Sequence, residues 1–181
     1  MNLPNRLSLL RVVLIPVCLG LLYAGTPLCN WLALAVFLIA SFTDFLDGHI
    51  ARSRNLVTDF GKFVDPVADK LLVLSVLILL AAQGKVHAWM VIIVLARELS
   101  VDGLRMVAAL TGRVIAAGKL GKIKTVSQMA AISLAIVNNW PFGAFPAKEM
   151  LAYAMVALTL WSGADYFIKN RSVFNLREEQ K

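Results

Sequence analysis

Only two cysteines occur in the chain, Cys18 and Cys29, and both lie in or beside apolar segments. That argues against a disulfide framework and leaves the pair as packing residues. Charge is scarce at 16% of residues, and no Ser/Pro-rich linker, block of like charge, low-complexity tract or sequence repeat divides the chain. One domain over residues 1–181 is therefore expected. What is plentiful is hydrocarbon. Hydrophobic residues make up 59% and the mean hydropathy is +0.74, whereas the apolar share of a soluble domain is about half even with Gly counted. The chain reads as an integral membrane protein. Its opening, "MNLPNRLSLLRVVLIPVCLGLLYAG", has the basic start and apolar run of a secretory signal. Arg11 interrupts that run and the remainder of the chain is equally apolar, so the segment is read as a retained first helix.

Apolar segments recur at 7–24, 31–50, 65–83, 87–110, 122–139 and 149–168. Each is near the roughly twenty residues that cross about 30 Å of hydrocarbon, which predicts an all-α fold of six transmembrane helices. The connections "GTPLCN", "QGKVHA" and "NWPFGAFPAKE" carry only Lys85 and Lys148 as basic residues, and the other sixteen of the eighteen Lys and Arg lie at the opposite ends of the spans. That bias places both termini in the cytosol. A net charge of +7 suits a membrane surface rich in anionic lipid or an anionic substrate. A nucleic-acid partner is disfavoured, because the charges are spread over loops that face a bilayer.

Against this background the segment "TDFLDGHIAR" is unexpected, since it puts Asp44 and Asp47 at the end of the apolar run "NWLALAVFLIASF". At a rise of 1.5 Å per residue, Asp44 lies about 21 Å down the second span and Asp69 about 22 Å down the third, with Asp47 and Asp65 at about 25 and 28 Å. The spacings i, i+3 and i, i+4 give each pair one helix face. Four carboxylates in such a place raise one another's pKa and cost several kcal/mol unless cations accompany them. An oxygen-only donor set favours Mg²⁺ or Mn²⁺ over zinc, with no cysteine nearby and the lone His49 on another part of the helix. Paired divalent ions of this kind stabilise the attacking and leaving oxygens of phosphoryl transfer. Gly48, Ala51 and Gly61 leave backbone open beside the carboxylates, for a bulky ligand or for close helix packing. Asp65-Pro66 also fits a helix start, and Asp59 a solvated loop.

The stretch "DFLDGHIARSRNLVTDFGKFVDPVAD", Asp44 to Asp69, resembles without a gap the signature of the CDP-alcohol phosphotransferases, D-x2-D-G-x2-A-R-x8-G-x3-D-x3-D. "LPNRLSLLRVVLIP", "ARELSVDGLR" and "GKLGKIKTVSQM" look like the branch that makes phosphatidylglycerol phosphate, and the similarity runs to about Met129. The resemblance implies a six-helix bundle, paired as a homodimer, with a polar cavity open to the cytosol. It implies that Asp44, Asp47 and Asp65 hold two divalent cations, with Asp69 beside them as general base. Gly48, Ala51 and Gly61 would border the cytidine of CDP-diacylglycerol, and Arg52 and Thr58 would contact the nucleotide or its phosphates. Asn5, Ser8 and Arg11 match the N-terminal pattern near that pocket. The spacing of the carboxylates does not itself separate base from ligand.

Arg105, about 27 Å down the fourth span, and Lys122 and Lys124, about 25 and 22 Å down the fifth, come out level with the carboxylates. They suit an acceptor that bears a phosphate, such as glycerol 3-phosphate; the other reading is interfacial anchoring by snorkelling. Arg97 lies deeper and calls for Glu98, Asp102 or a carboxylate of another span. His87, Trp89, Trp140 and Trp161 read as interface or packing residues. The expected activity is transfer of the phosphatidyl group of CDP-diacylglycerol to glycerol 3-phosphate at a bacterial inner membrane. Alternatives are another acceptor (inositol phosphate, serine or phosphatidylglycerol) or a cation or proton transporter, although the broken midplane helices of a transporter are not evident. The charge bias makes a first prediction. A single cysteine replacing Asn55 in a cysteine-free background is labelled by an impermeant thiol reagent in inverted vesicles and not in right-side-out ones; the reverse pattern would overturn the orientation.

Overall fold

The computed structural model describes residues 3–53, 59–110, 115 and 118–173, with side chains described for 9–43, 67–68, 70–110, 115, 118–171 and 173. Among these residues the chain is all-helical: α1 (Leu3–Ala24), α2 (Pro27–Ser53), α3 (Asp59–Ala82), α4 (Ala88–Leu110), α5 (Lys119–Ile136) and α6 (Ala147–Lys169), followed by a 3₁₀ turn at Arg171–Val173. The six helices match the six apolar segments in order.

Two boundaries differ from the hydropathy reading. α3 begins at Asp59 rather than at 65, so Asp59 is the first residue of a helix, where an acidic residue suits the positive end of the helix dipole. Pro66 therefore lies inside α3 and does not start it; it lacks the N–H that would reach the Lys62 carbonyl. Pro16 has the same effect inside α1. α5 stops at Ile136 instead of 139, because Asn138 and Asn139 adopt φ of 52° and 68°. Asn tolerates that left-handed region better than most residues, and two in succession end the helix. Measured from this end, Lys124 lies about 18 Å along α5.

α6 is long and apolar enough to cross a membrane, while the apolar stretches found in α1, α2 and α3 are shorter, at Leu9–Ala24, Pro27–Thr43 and Lys70–Ala82. In α4 the apolar run is broken by Arg97, Glu98, Asp102 and Arg105. The exterior is nonetheless oily, with Val13, Ile39, Ile78, Ile92, Val126 and Ile168 all exposed. Exposed aliphatic side chains in such number suit a surface solvated by lipid.

The chain forms two compact units, residues 1–85 with 135–140, and residues 86–134 with 141–181. In the first, α1 packs on both α2 and α3. The contact stripe on α1 is Arg11, Ile15, Cys18 and Leu22, all buried at helical spacing, and it meets Ala33, Phe37 and Ala40 of α2 and Leu72, Val76 and Leu80 of α3 in the core. Cys18 Sγ donates to the Ala33 carbonyl at 3.6 Å, and Gln83 Nε2 donates to the Leu22 carbonyl at 2.8 Å. Both cysteines are free thiols. α3 ends in a left-handed cap: Gly84, at φ 69°, donates to Ala81, and Lys85 donates back to Leu80 at 2.9 Å. Lys85 Nζ then reaches the carbonyl of Ile136, the last residue of α5, at 3.5 Å. Trp31 and Trp140 meet edge to face with centroids 4.9 Å apart.

In the second unit α4 packs on α6. Met90, Val94, Val101, Leu104 and Ala108 form the buried stripe of α4, and Met155, Thr159, Ser162, Gly163 and Tyr166 belong to that of α6. Trp89 lies beside Tyr153 and His87, with centroids 6.2 and 6.5 Å away, which accounts for these aromatics as packing residues at helix starts.

The cap of α3 sets a test. A Cβ on Gly84 would have nothing within 4 Å, so Gly84→Ala should lower stability by about 1–2 kcal/mol through backbone strain alone. Gly84→Asn should cost less. Unfolding of the detergent-solubilised variants, followed by circular dichroism, checks the order.

Candidate active site

Asp44, Asp47, Gly48, Ala51 and Arg52 belong to the C-terminal part of α2, and Gly61, Asp65 and Asp69 to the N-terminal part of α3, both in the first unit. Their side chains lie outside the described residues, as do those of Asn5 and Ser8 and the whole of Thr58. The backbone register is still informative. Positions 44 and 47 follow the buried Phe37, Ala40 and Ser41 at steps of three, four and seven. Positions 65 and 69 precede the buried Leu72, Val76 and Leu80 in the same way. At 100° per residue, each pair of carboxylate positions thus continues the core stripe of its own helix. Position 8 of α1 likewise continues the stripe of Arg11, and Arg11 is itself only 1% exposed. Immediately before Asp44, the Thr43 hydroxyl donates to the Ala40 carbonyl at 2.8 Å, which keeps a polar side chain satisfied by its own helix.

No group of three His, Cys, Asp or Glu side chains comes together among the described residues. An all-carboxylate set, such as the four motif positions would supply, fits hard divalent cations. Elsewhere in the first unit, a hollow of about 540 Å³ is lined by Leu19, Gly20, Tyr23, Ser75, Ile78, Leu79 and Ala82. It lies toward the other end of α3 and has no charged lining, so it suits hydrocarbon and not a phosphate.

The acceptor-side cations belong to the second unit, and they divide. Lys124 is buried at 4% exposure and its ammonium contacts Glu98 Oε1. The same oxygen receives Arg97 Nη1 at 3.2 Å, and Arg97 Nη2 donates to Ser162 Oγ at 3.3 Å. The Ser162 hydroxyl in turn donates to the Thr159 carbonyl at 3.2 Å. The network fits because residue 163 is glycine: a Cβ there would come within 3.2 Å of Arg97 Cγ. Lys124 is thus an interior cation, and the reading of it as a snorkelling anchor is set aside. Arg97 takes Glu98 as its counter-ion, one of the partners expected for it. Lys122, two residues before Lys124 and about 200° round the helix from it, is exposed. Arg105 is exposed as well, and its Nε donates to the Tyr166 hydroxyl at 3.0 Å while its guanidinium carbon lies 5.5 Å from the centre of the Tyr166 ring.

Sequence reasoning missed Ser162, Gly163 and Tyr166. A glycine, a serine and a tyrosine in an apolar helix carry no local signal, and their partners are more than sixty positions earlier in the chain. Glu98 was legible only as a neighbour of Arg97; its tie to Lys124 across 26 residues was not.

A family model described as CDP-alcohol phosphatidyltransferase matches residues 1–161. The chain belongs to that family, which is membrane-associated and uses divalent cations. It is 44% identical over 183 aligned residues to the Bacillus subtilis protein named CDP-diacylglycerol–glycerol-3-phosphate 3-phosphatidyltransferase, covering 93% of this chain and 95% of that one. A Rickettsia typhi protein of the same name is 40% identical over 176 residues, with 96% and 99% covered. One from Pseudomonas fluorescens, again of that name, is 38% identical over 176 residues, with 92% and 88% covered. These names agree with the activity expected from the motif.

The Glu98 network gives a stability prediction. Glu98→Gln removes the negative charge shared by the buried Lys124 and the part-buried Arg97, and breaking a buried pair costs about 3 kcal/mol. Adding Lys124→Met should recover part of the loss. Unfolding midpoints of the single and double variants decide; equal midpoints for wild type and Glu98→Gln would remove the network from the stability of α4, α5 and α6.

Proposed function

We propose that the protein transfers the phosphatidyl group of CDP-diacylglycerol to sn-glycerol 3-phosphate, forming phosphatidylglycerol phosphate and CMP. The observation that carries this reading is the register of α2 and α3, which continues the core stripe of each helix into a pair of motif carboxylates. In this reading residues 1–181 act as one catalytic domain, the six helices each cross a bacterial inner membrane with both termini and the active site cytosolic, and two copies pair as a homodimer.

Asp44, Asp47, Asp65 and Asp69 would hold two divalent cations, Mg²⁺ or Mn²⁺. When bound, the cations offset the charge of the diphosphate and of departing CMP. Asp69 accepts the proton of the acceptor hydroxyl as the hydroxyl oxygen bonds to the lipid-side phosphorus and the bond from that phosphorus to the CMP oxygen breaks. Gly48, Ala51 and Gly61 admit the cytidine, Arg52 and Thr58 hold the nucleotide, and Asn5, Ser8 and Arg11 complete that side. Arg105 and Lys122, both exposed, receive the phosphate of glycerol 3-phosphate through charge-assisted hydrogen bonds, while Lys124 stays on Glu98 in the interior.

Purified protein incubated with CDP-diacylglycerol and, separately, glycerol 3-phosphate, inositol phosphate, serine and phosphatidylglycerol should release CMP with the first alone. Release should stop in excess chelator and return with Mg²⁺ or Mn²⁺. Asp69→Asn should keep liponucleotide binding and lose turnover by about 10² to 10⁴, the usual worth of a general base. Release with serine in place of glycerol 3-phosphate would overturn the acceptor, and near-normal turnover of Asp69→Asn would overturn the base.

A further inference from the structure

Arg105 and Tyr166 form a contact that the proposed chemistry has not used. Tyr166 is 7% exposed and its ring is held in a cluster with Val101, Leu104, Ala108 and Val173, against which Ile115 and Phe167 also pack. A ring fixed on so many sides leaves its hydroxyl a definite position. That hydroxyl accepts Arg105 Nε at 3.0 Å, and the ring lies 5.5 Å from the guanidinium carbon. Arg105, by contrast, is an exposed side chain, and a long one of this kind gives up much rotamer freedom when it is held in one place. The hydrogen bond engages Nε, on the inner side of the fork. It leaves the two Nη groups outside that bond, and these are the donors that match a phosphate side by side.

We propose that Tyr166 is a positioning residue that holds the Arg105 guanidinium in advance, so that its Nη groups meet the acceptor phosphate without first being ordered. This rests on the acceptor-binding role given to Arg105 above, and deepens it. The family match ends at residue 161, so Tyr166 lies beyond the segment that defines the family, and its assignment comes from the contact alone. The neighbouring turn supports the same placement. Gly163 brings α6 close to Arg97, with 3.2 Å from a built Cβ to Arg97 Cγ, and Tyr166 lies three residues further along the buried stripe that faces α4. The helix pair that fixes one arginine at its middle therefore fixes a second two turns later.

Tyr166→Phe removes the acceptor oxygen and keeps the ring in its cluster, which makes it the informative variant. The expected result is a KM for glycerol 3-phosphate raised about three- to tenfold, the worth of one hydrogen bond, with kcat and the KM for CDP-diacylglycerol unchanged. The unfolding midpoint should stay close to that of the wild type. In an Arg105→Ala background the same substitution should have no further effect on either KM, because nothing remains to be positioned. If Arg105→Ala raises the acceptor KM and Tyr166→Phe does not, positioning by Tyr166 is overturned while the acceptor role of Arg105 stands. If Arg105→Ala leaves both KM values unchanged, the acceptor role itself falls and this inference falls with it. A Tyr166→Phe effect that is equal on both substrates, is fully additive with Arg105→Ala, or comes with a large drop in the midpoint would assign Tyr166 to packing and overturn the proposal.

Discussion

One carboxylate oxygen, Oε1 of Glu98, receives the Arg97 guanidinium and the Lys124 ammonium together, and the order of α4, α5 and α6 depends on that meeting point. An ion in an apolar helix has no water to turn to, so it must find its opposite charge in the protein or bear a cost of several kcal/mol. Glu98 and Arg97 come from α4, Lys124 from α5, and the remaining hydrogen bond of Arg97 goes to Ser162 of α6. Three helices are thereby tied by one cluster rather than by oil alone. The packing reaches into residues with no charge: a Cβ at residue 163 would come within 3.2 Å of the stem of Arg97, which would have to give by a few tenths of an ångström. It also explains why α4 fails as a simple apolar span, since its polar residues serve the interior.

The two units treat charge in opposite ways. In the first, acidic positions extend the core stripes of α2 and α3; in the second, basic groups outnumber the one carboxylate they share. Cations held by carboxylates suit the diphosphate, where a leaving group gathers charge, and fixed guanidinium or ammonium groups suit a phosphate that is only held.

The helices were legible because apolar length is written locally, residue by residue. Where the boundaries moved, the cause was also local but of another kind. α3 starts early because "DFGKF" is helical without being oily, and α5 stops early because Asn138 and Asn139 turn left-handed. The carboxylate motif was legible because its eight positions fall within 26 consecutive residues. Depth along a helix could be counted too, yet depth says nothing of rotation about the axis. Lys122 and Lys124 are close in depth, and only the buried run of Lys124, Gln128, Ile132 and Ile136 shows which one is turned inward. Tyr166 was illegible for a different reason: the partner of its hydroxyl is 61 positions away, and one tyrosine in an apolar helix has no pattern to betray it.

The first unit is not continuous in sequence. Lys85, just past the left-handed cap of α3, bonds a carbonyl at the end of α5, 51 residues later. On a ribosome adding about 5–20 residues each second, that partner emerges some 3–10 s after the lysine. During that interval α1, α2 and α3 are already made and the charged side chain at their rim has no Ile136 carbonyl to bond. The last tie of the unit that bears the carboxylate motif thus forms only after α4 and α5 have been synthesised.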